Sequence, residues 1–146
     1  MKINITENIK ISMRGYTIIN VNAYWEENGR RYAVKACDGL KIDSNDKEVI
    51  LRGSYDGRNV EWKLCDKGNY ITAELTIQSK NEVYIDALCA FRGEIKPEEA
   101  NQKFLKVPFD NDDWVKFESK EYSKSEMGYG VSAVYNQNGA LIIGAL

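Results

Sequence analysis

Apolar and polar residues alternate strictly in the stretch Tyr70-Ile-Thr-Ala-Glu-Leu-Thr-Ile77. Successive side chains of a β-strand point to opposite faces, so the apolar residues of this stretch share one face: Ile71, Ala73, Leu75 and Ile77. One apolar and one polar face are typical of an antiparallel sheet that is buried on one side and solvated on the other. The stretch therefore predicts a β-protein, and much of the chain repeats its pattern.

Turn signals separate the other strand-like runs. Asn28-Gly29 lies between Tyr16–Trp25 and Arg31–Cys37. Asn-Gly at such a place predicts a hairpin, because a type I′ turn needs positive φ at both central residues. Asp56-Gly57 and Asn138-Gly139 lie between later runs of the same kind. About ten strands at such spacings predict an all-β fold, an antiparallel β-sandwich.

The predicted strands cover most of the chain. A single short helical turn is predicted over Pro97–Lys103, because proline favours the first turn of a helix and acidic side chains stabilise that turn. The strands are Ile3–Ile5, Ile9–Ile11, Tyr16–Trp25, Arg31–Cys37, Lys47–Tyr55, Val60–Cys65, Tyr70–Ile77, Val83–Phe91, Trp114–Ser119, Gly130–Tyr135 and Leu141–Leu146.

Length and charge narrow the class of protein. A chain of 146 residues suits one domain, residues 1–146, with a hydrophobic core of its own. The net charge is −2, and the charged residues, 29% of the chain, mix both signs. Nucleic-acid binding needs a basic stripe facing the phosphates, and the sequence has none, so no nucleic-acid partner is expected.

Cysteine and histidine usage restricts the chemistry. Cys37, Cys65 and Cys89 are far apart and form no C-x-x-C pair, so they predict buried free thiols rather than a zinc site or a disulfide framework. Histidine is absent, which removes Ser-His and Cys-His nucleophiles and the commonest transition-metal ligand. The sequence predicts no metal and no cofactor.

The two ends of the chain bear on its location and completeness. The N-terminal residues lack the apolar core of a signal peptide, and no apolar run is long enough to cross a membrane, so a cytoplasmic protein without a membrane partner is predicted. The strand Leu141–Leu146 ends without a polar tail. Natural termini tend to be polar, so we expect an N-terminal fragment of a longer protein. A natural terminal strand is the alternative.

The stretch Phe104–Phe117 differs most from the strand-like segments of the chain, because it combines four aromatic residues, a proline and three carboxylates. An EF-hand calcium loop that began at Asp110 would need glycine at its sixth position, where Val115 stands. The standard calcium motif therefore fails. A plain turn remains a simple alternative, since aspartate and asparagine bond their own backbone.

The same stretch also has the composition of a sugar site. An aromatic ring can lie against the apolar face of a sugar, and carboxylates beside it can accept hydrogen bonds from hydroxyls. The predicted carbohydrate-binding residues are Phe109, Asp110, Asp112, Asp113 and Trp114. Trp114 as a core residue at the start of a strand is the alternative. No pair of acids stands out as a glycosidase pair, so no catalytic residue is predicted.

Three segments carry a family resemblance: Phe104-Leu-Lys-Val-Pro-Phe-Asp-Asn-Asp-Asp-Trp-Val115, Gly130-Val-Ser-Ala-Val-Tyr135 and Gly139-Ala-Leu-Ile-Ile-Gly144. They resemble the N-terminal β-sandwich domain of bacterial α-galactosidase-like glycoside hydrolases, the melibiase-related group. In that group a similar Val-Pro-Phe-Asp-Asn-Asp-x-Trp run precedes an apolar, glycine-containing strand. The resemblance is clearest over residues 104–146.

The resemblance implies a supersandwich-like domain that packs on a downstream catalytic barrel and helps to complete its sugar pocket. The catalytic aspartates would lie in that barrel, so this chain alone would not be an enzyme, whereas its parent would be a glycoside hydrolase. The expected partners are the downstream catalytic domain and carbohydrate. A second copy of the chain, in a homo-oligomer, is a further candidate partner. The alternatives are an autonomous carbohydrate-binding module and a structural or oligomerisation domain without a ligand.

Overall fold

The computed structural model describes residues 2–5, 8–106, 118–122 and 131–144. These ranges contain thirteen strands, and the predicted all-β antiparallel fold is confirmed. The strands are β1 (Lys2–Ile5), β2 (Ile9–Met13), β3 (Tyr16–Glu27), β4 (Arg30–Ala33), β5 (Asp38–Ser44), β6 (Glu48–Tyr55), β7 (Arg58–Asp66), β8 (Ile71–Gln78), β9 (Ala87–Pro97), β10 (Lys103–Lys106), β11 (Glu118–Glu121), β12 (Val131–Asn136) and β13 (Gly139–Gly144).

The chain divides into two compact units, an N-terminal unit (Met1–Glu94) and a C-terminal unit (Ile95–Leu146). The N-terminal unit contains two sheets. Sheet A has the order β1-β2-β3-β4, with β9 also paired to β3, and sheet B has the order β5-β6-β7-β8. In the C-terminal unit, sheet C has the order β11-β10-β12-β13.

Apolar residues on the inner faces of sheets A and B form the core of the N-terminal unit. Trp25 on β3 and Trp62 on β7 are both fully buried. The indole Nε1 of Trp62 donates a hydrogen bond to the carbonyl oxygen of Ala90, at 2.8 Å, and so joins sheet B to β9. Full burial of a large apolar side chain contributes about 1.5–3 kcal/mol, so these inner faces hold the unit together. The smaller fully buried residues include Ile11, Val21, Val49, Leu51, Val60 and Leu64.

Two hairpin turns confirm the type I′ prediction. Asn28 and Gly29, between β3 and β4, have φ of 52° and 70°. Asp56 and Gly57, between β6 and β7, have φ of 47° and 72°. The third predicted turn lies one residue earlier than expected, because Asn136 pairs with Gly139 and leaves residues 137–138 as the turn. The Asn136 side chain accepts the backbone N–H groups of both Asn138 and Gly139 and closes that turn.

Sheet C has a buried row of its own. Phe104 on β10 lies opposite Val134 on β12, and Val134 lies opposite Leu141 on β13. All three side chains are buried. Because residues that face each other across antiparallel strands share a face, this row marks the apolar side of the sheet.

The helical turn predicted over Pro97–Lys103 is wrong. Pro97 ends β9, residues 98–101 bend, and Lys103 begins β10. Asn101 has φ of 57°, which a right-handed helix does not allow. Local propensity is outweighed here by long-range hydrogen bonds, since the Glu99 carboxylate accepts the side-chain amide of Asn136. The described ranges have their single 3₁₀ turn elsewhere, at Val34–Ala36.

Other strand bounds also differ from the predictions. The run Val83–Phe91 becomes a strand only from Ala87, and the strand continues to Pro97. The strand β5 (Asp38–Ser44) was not predicted, because Asp38-Gly39 reads as a turn and the residues after it are mostly polar. A register shift between Asp38 and Lys41 accommodates Gly39 inside that strand. Within the described ranges, no helix is long and apolar enough to cross a membrane.

Candidate functional site

The predicted sugar-binding residues Phe109, Asp110, Asp112, Asp113 and Trp114 lie outside the described residues. The structure does describe the strands that flank them. Lys106, the last residue of β10, pairs with Glu118, the first residue of β11. Residues 107–117 thus connect two paired strands, and β10 is paired on its other side with β12. The base of this connection is therefore part of a four-stranded sheet.

The C-terminal unit also has a shallow depression of about 310 Å³. Its aromatic member is Tyr122, whose hydroxyl donates to the carbonyl oxygen of Ile95 at 3.1 Å and whose backbone N–H donates to Gln102 at 2.9 Å. These two bonds fix the tyrosine at one side of the depression. The lining consists of Pro97, Glu99, Ala100, Asn101, Gln102, Glu121 and Tyr122.

Hydrogen bonds hold the bend that forms one wall of this depression. Glu99 Oε2 accepts the side-chain amides of Asn136 and Asn138, each at 2.8 Å. Gln102 is 5% exposed and donates to the carbonyl oxygen of Glu99 at 3.4 Å. Asn101 and Glu121 also line the depression beside the Tyr122 ring, and amides, carboxylates and aromatic rings are groups that bind a polyhydroxylated ligand.

A second depression, of about 300 Å³, lies on the outer face of sheet B. Arg52 crosses it and donates from Nε to Glu61 at 2.7 Å and from Nη1 to Asp43 at 2.8 Å. The bond to Glu61 raises the pKa of the Arg52 guanidinium. These pairs are exposed, so they contribute little stability and describe a solvated face. The lining consists of Arg52, Gly53, Asn59, Val60, Glu61, Thr76 and Gln78.

A partly buried ion pair lies where the β3–β4 and β6–β7 hairpins meet. Arg58 donates from Nη1 and Nη2 to the two carboxylate oxygens of Glu27, at 2.6 and 3.0 Å. Hydrogen bonding to Arg58 lowers the pKa of the Glu27 carboxyl. Trp25 and Tyr32 stack beside the pair with ring centroids 5.5 Å apart, and Tyr55 meets Trp25 edge-on at 5.4 Å. This cluster joins sheets A and B and is structural.

Tyr24 on β3 lies in a second cationic setting. The Arg31 guanidinium is 4.1 Å from the centre of the Tyr24 ring, and that of Arg92 is 5.9 Å away. Arg31 is also paired with Glu26 at 2.6 Å. Burial raises the pKa of the Tyr24 hydroxyl, and the neighbouring Cys89 thiol raises it further. The arrangement is a cation–π stack that covers the ring.

The three cysteines are free thiols, as predicted. Cys37 and Cys65 are buried, and burial raises the pKa of both thiols. Cys89 departs from the prediction because it is only half-buried. A raised pKa leaves little thiolate at neutral pH, so Cys37 and Cys65 are packing residues rather than nucleophiles.

Sequence reasoning missed the Arg58–Glu27 pair and the contribution of Tyr122. The partners of Arg58 and Tyr122 are 31 and 27 residues away in the chain, so no local spacing signals them. Among the residues that the structure describes, no group of three or more histidine, cysteine or acidic side chains is placed to hold a metal ion.

Comparison of the chain with protein-family models, with curated proteins and with solved structures found no match.

Proposed function

We propose that this chain is a non-catalytic β-sandwich domain of an α-galactosidase-like glycoside hydrolase. In this proposal the segment Phe104–Phe117 borders a sugar pocket that a downstream catalytic domain forms. The observation that carries the proposal is the pairing of Lys106 with Glu118, which brings together on sheet C the two strands that flank the candidate residues. A loop with a rigid base can present side chains to a ligand in fixed positions.

The chemistry of the segment supports a contact with sugar hydroxyls. Asp110, Asp112 and Asp113 supply carboxylates, and Phe109 and Trp114 supply aromatic rings. Carboxylates accept charge-assisted hydrogen bonds, and aromatic rings cover the apolar face of a sugar. Contacts of this kind bind the ground state and the transition state alike, so they act on KM more than on kcat.

The first test uses the gene and the full-length protein that it encodes. We expect the coding sequence to continue beyond Leu146 into a catalytic barrel with acidic residues at its strand ends. In that protein Trp114→Ala should raise KM for an α-galactoside about tenfold and change kcat little, since one lost ring contact is worth about 1–2 kcal/mol. Glu82→Gln, an exposed change in the loop before β9, is the control. A stop codon after Leu146, or an unchanged KM in Trp114→Ala, would contradict the proposal.

The depression beside Tyr122 favours a second candidate function, an autonomous carbohydrate-binding module. There the chain alone would bind a saccharide through Glu121, Asn101 and the Tyr122 ring. The test is a titration of the isolated chain with millimolar galactosides, in which NMR chemical shifts of the backbone amides report binding. Shifts should centre on residues 97–102 and 121–122 and should weaken in Glu121→Gln but not in Gln137→Ala, an exposed change in the β12–β13 turn. If the chemical shifts of these residues do not change when sugar is added, this function is excluded.

A further inference from the structure

The strand β8 (Ile71–Gln78) forms one margin of sheet B. It pairs with β7 over eight consecutive residue pairs, from Asn59–Gln78 to Asp66–Ile71, with no register shift. Among the described strands, β7 is its sole partner. A regular edge strand of this length exposes a row of backbone N–H and C=O groups that can pair with another strand.

The margin at β8 lacks the features that usually block such pairing. Proteins protect edge strands with lysine, proline, bulges or very short lengths. The opposite margin of the same sheet shows this protection, because β5 carries Lys41 and a register shift between Asp38 and Lys41. β8 has no lysine, arginine, proline or glycine, and Glu74 is its one charged residue.

The inner side chains of β8 are also incompletely covered. Ile71, Ala73, Leu75 and Ile77 are half-buried, whereas their neighbours on β7, Val60, Trp62 and Leu64, are at most 1% exposed. Within the described part of the chain, the apolar face of sheet B is therefore less completely covered on β8 than on β7. A strand added beside β8 would continue the sheet and remove more of this apolar row from water.

We propose that β8 pairs antiparallel with β8 of a second copy of this chain, so that two copies of sheet B form one continuous sheet. A two-fold axis makes such an interface self-complementary, because each residue repeats the contact of its counterpart. This proposal goes beyond carbohydrate binding and does not depend on it.

Strand length and side chains together favour one register, because pairing about Glu74 or Leu75 joins seven residues of each β8, whereas pairing about Ala73 or Thr76 joins only five. Opposed residues of an antiparallel pair share a face, so inner residues must oppose inner residues. With Glu74 opposite its own copy, two like charges would meet, which disfavours that register. With Leu75 opposite its own copy, Ala73 faces Ile77 on the inner side and Glu74 faces Thr76 on the outer side. This second register joins apolar to apolar groups and offers each carboxylate a hydroxyl.

The expected dimer is weak. Stable interfaces bury about 1,200–2,000 Å², and one pair of strands covers less, so we expect a dissociation constant in the micromolar range. Sedimentation velocity of the full chain over about 1–500 μM, without sugar, measures it. A chain that stays monomeric over that range would overturn the proposal.

Charge changes at Thr76 test the register. In Thr76→Glu the new carboxylate faces Glu74 of the other copy and repels it. In Thr76→Lys the new ammonium group faces the same Glu74 and attracts it. Cross-strand charge pairs are worth about 0.2–1 kcal/mol, and the two-fold axis doubles the effect. The dissociation constant should therefore rise about 2- to 30-fold in Thr76→Glu and fall by a similar factor in Thr76→Lys.

The matched control is Lys41→Glu, a charge change on the protected margin β5, which should leave the dissociation constant unchanged. Thermal unfolding of each variant confirms that it is folded, and Thr76→Lys tests the register even if Thr76→Glu does not fold. If neither Thr76 change alters the dissociation constant of the dimer, the interface lies away from β8 and the proposal is overturned. A response to Lys41→Glu as large as that to Thr76→Glu would also overturn the proposal.

Discussion

Arg58 and Glu27 form an ion pair that is largely hidden from water. Their side chains are 8% and 16% exposed, and both guanidinium contacts to the carboxylate are short. A bidentate arginine–carboxylate pair is directional, so it fixes the relation between the β3–β4 and β6–β7 hairpins as well as neutralising a charge. The exposed pairs of Arg52 lack this constraint, because water competes for each partner.

The ion pair between Glu27 and Arg58 makes the stability of the protein depend on pH. Bonding to Arg58 lowers the pKa of Glu27 in the folded protein below its ordinary value. A lowered folded pKa contributes stability that is present above the ordinary pKa and is lost as the pH falls through the folded value. We therefore expect the free energy of unfolding to decrease below about pH 5.

Urea unfolding between pH 7 and pH 3 checks this dependence. Glu27→Gln should be less stable than the wild type at pH 7 and should lose less stability on acidification, because it has no carboxylate to protonate. Glu82→Gln changes an exposed carboxylate in the loop before β9 and is expected to keep the wild-type loss. Parallel acid profiles for Glu27→Gln and the wild type would contradict the role of the pair.

Close approach between strands is decided at two glycines. A Cβ at Gly53 would lie 2.7 Å from the Cβ of Cys37 and 3.1 Å from the carbonyl oxygen of Asp38. Neither atom is the end of a flexible side chain, so the strands would have to move apart. Gly93 on β9 meets Ile18 in the same way, at 2.6 Å. Both glycines therefore set distances within the N-terminal unit rather than turn geometry.

Gly53→Ala tests whether the close approach of strands at Gly53 requires a residue without a side chain. Overpacking costs roughly 1–3 kcal/mol, and we expect a loss of stability of that size, measured by urea unfolding. Gly139→Ala is the matched control, because its Cβ would meet nothing within 4 Å and its φ is not positive. The control should be neutral or slightly stabilising. Equal effects of the two changes would show that contact at Gly53 is not the cause.

At the scale of the whole molecule, the fold depends on pairings that are distant in the chain. β9 (Ala87–Pro97) joins sheet A beside β3 (Tyr16–Glu27), and Trp62 bonds Ala90 across the inner face. Asp86 at the approach to β9 also accepts the backbone N–H of Gly29 at 3.1 Å. Such non-local contacts must overcome the entropy of loop closure, so each one affects the cooperativity of the N-terminal unit.

Trp62→Phe tests the bond to Ala90. The change leaves the partly buried Ala90 carbonyl without its indole donor and removes part of a fully buried side chain, so we expect a loss of about 2–4 kcal/mol. Urea unfolding measures the loss. In the wild type the indole N–H of Trp62 should exchange slowly with deuterium in NMR spectra. Fast exchange of that proton would contradict the bond.

Local residue patterns account for most of the strands, because alternation and turn chemistry act over a few residues. Tyr70–Ile77 is read correctly to within one residue at each end, and both Asn28-Gly29 and Asp56-Gly57 form the expected turns. Pro97–Lys103 is read wrongly, because the bonds of Glu99 to Asn136 and Asn138 outweigh helix propensity. The candidate residues of segment 107–117 stay a prediction.

The sequence alone predicts the all-β class and the type I′ hairpins. These properties follow from side-chain period and backbone sterics, which are local. The tertiary structure alone settles the partner of Arg58 and the place of β9 beside β3. Each of these joins residues that are far apart in the chain, and sequence period carries no information about which distant strands become neighbours.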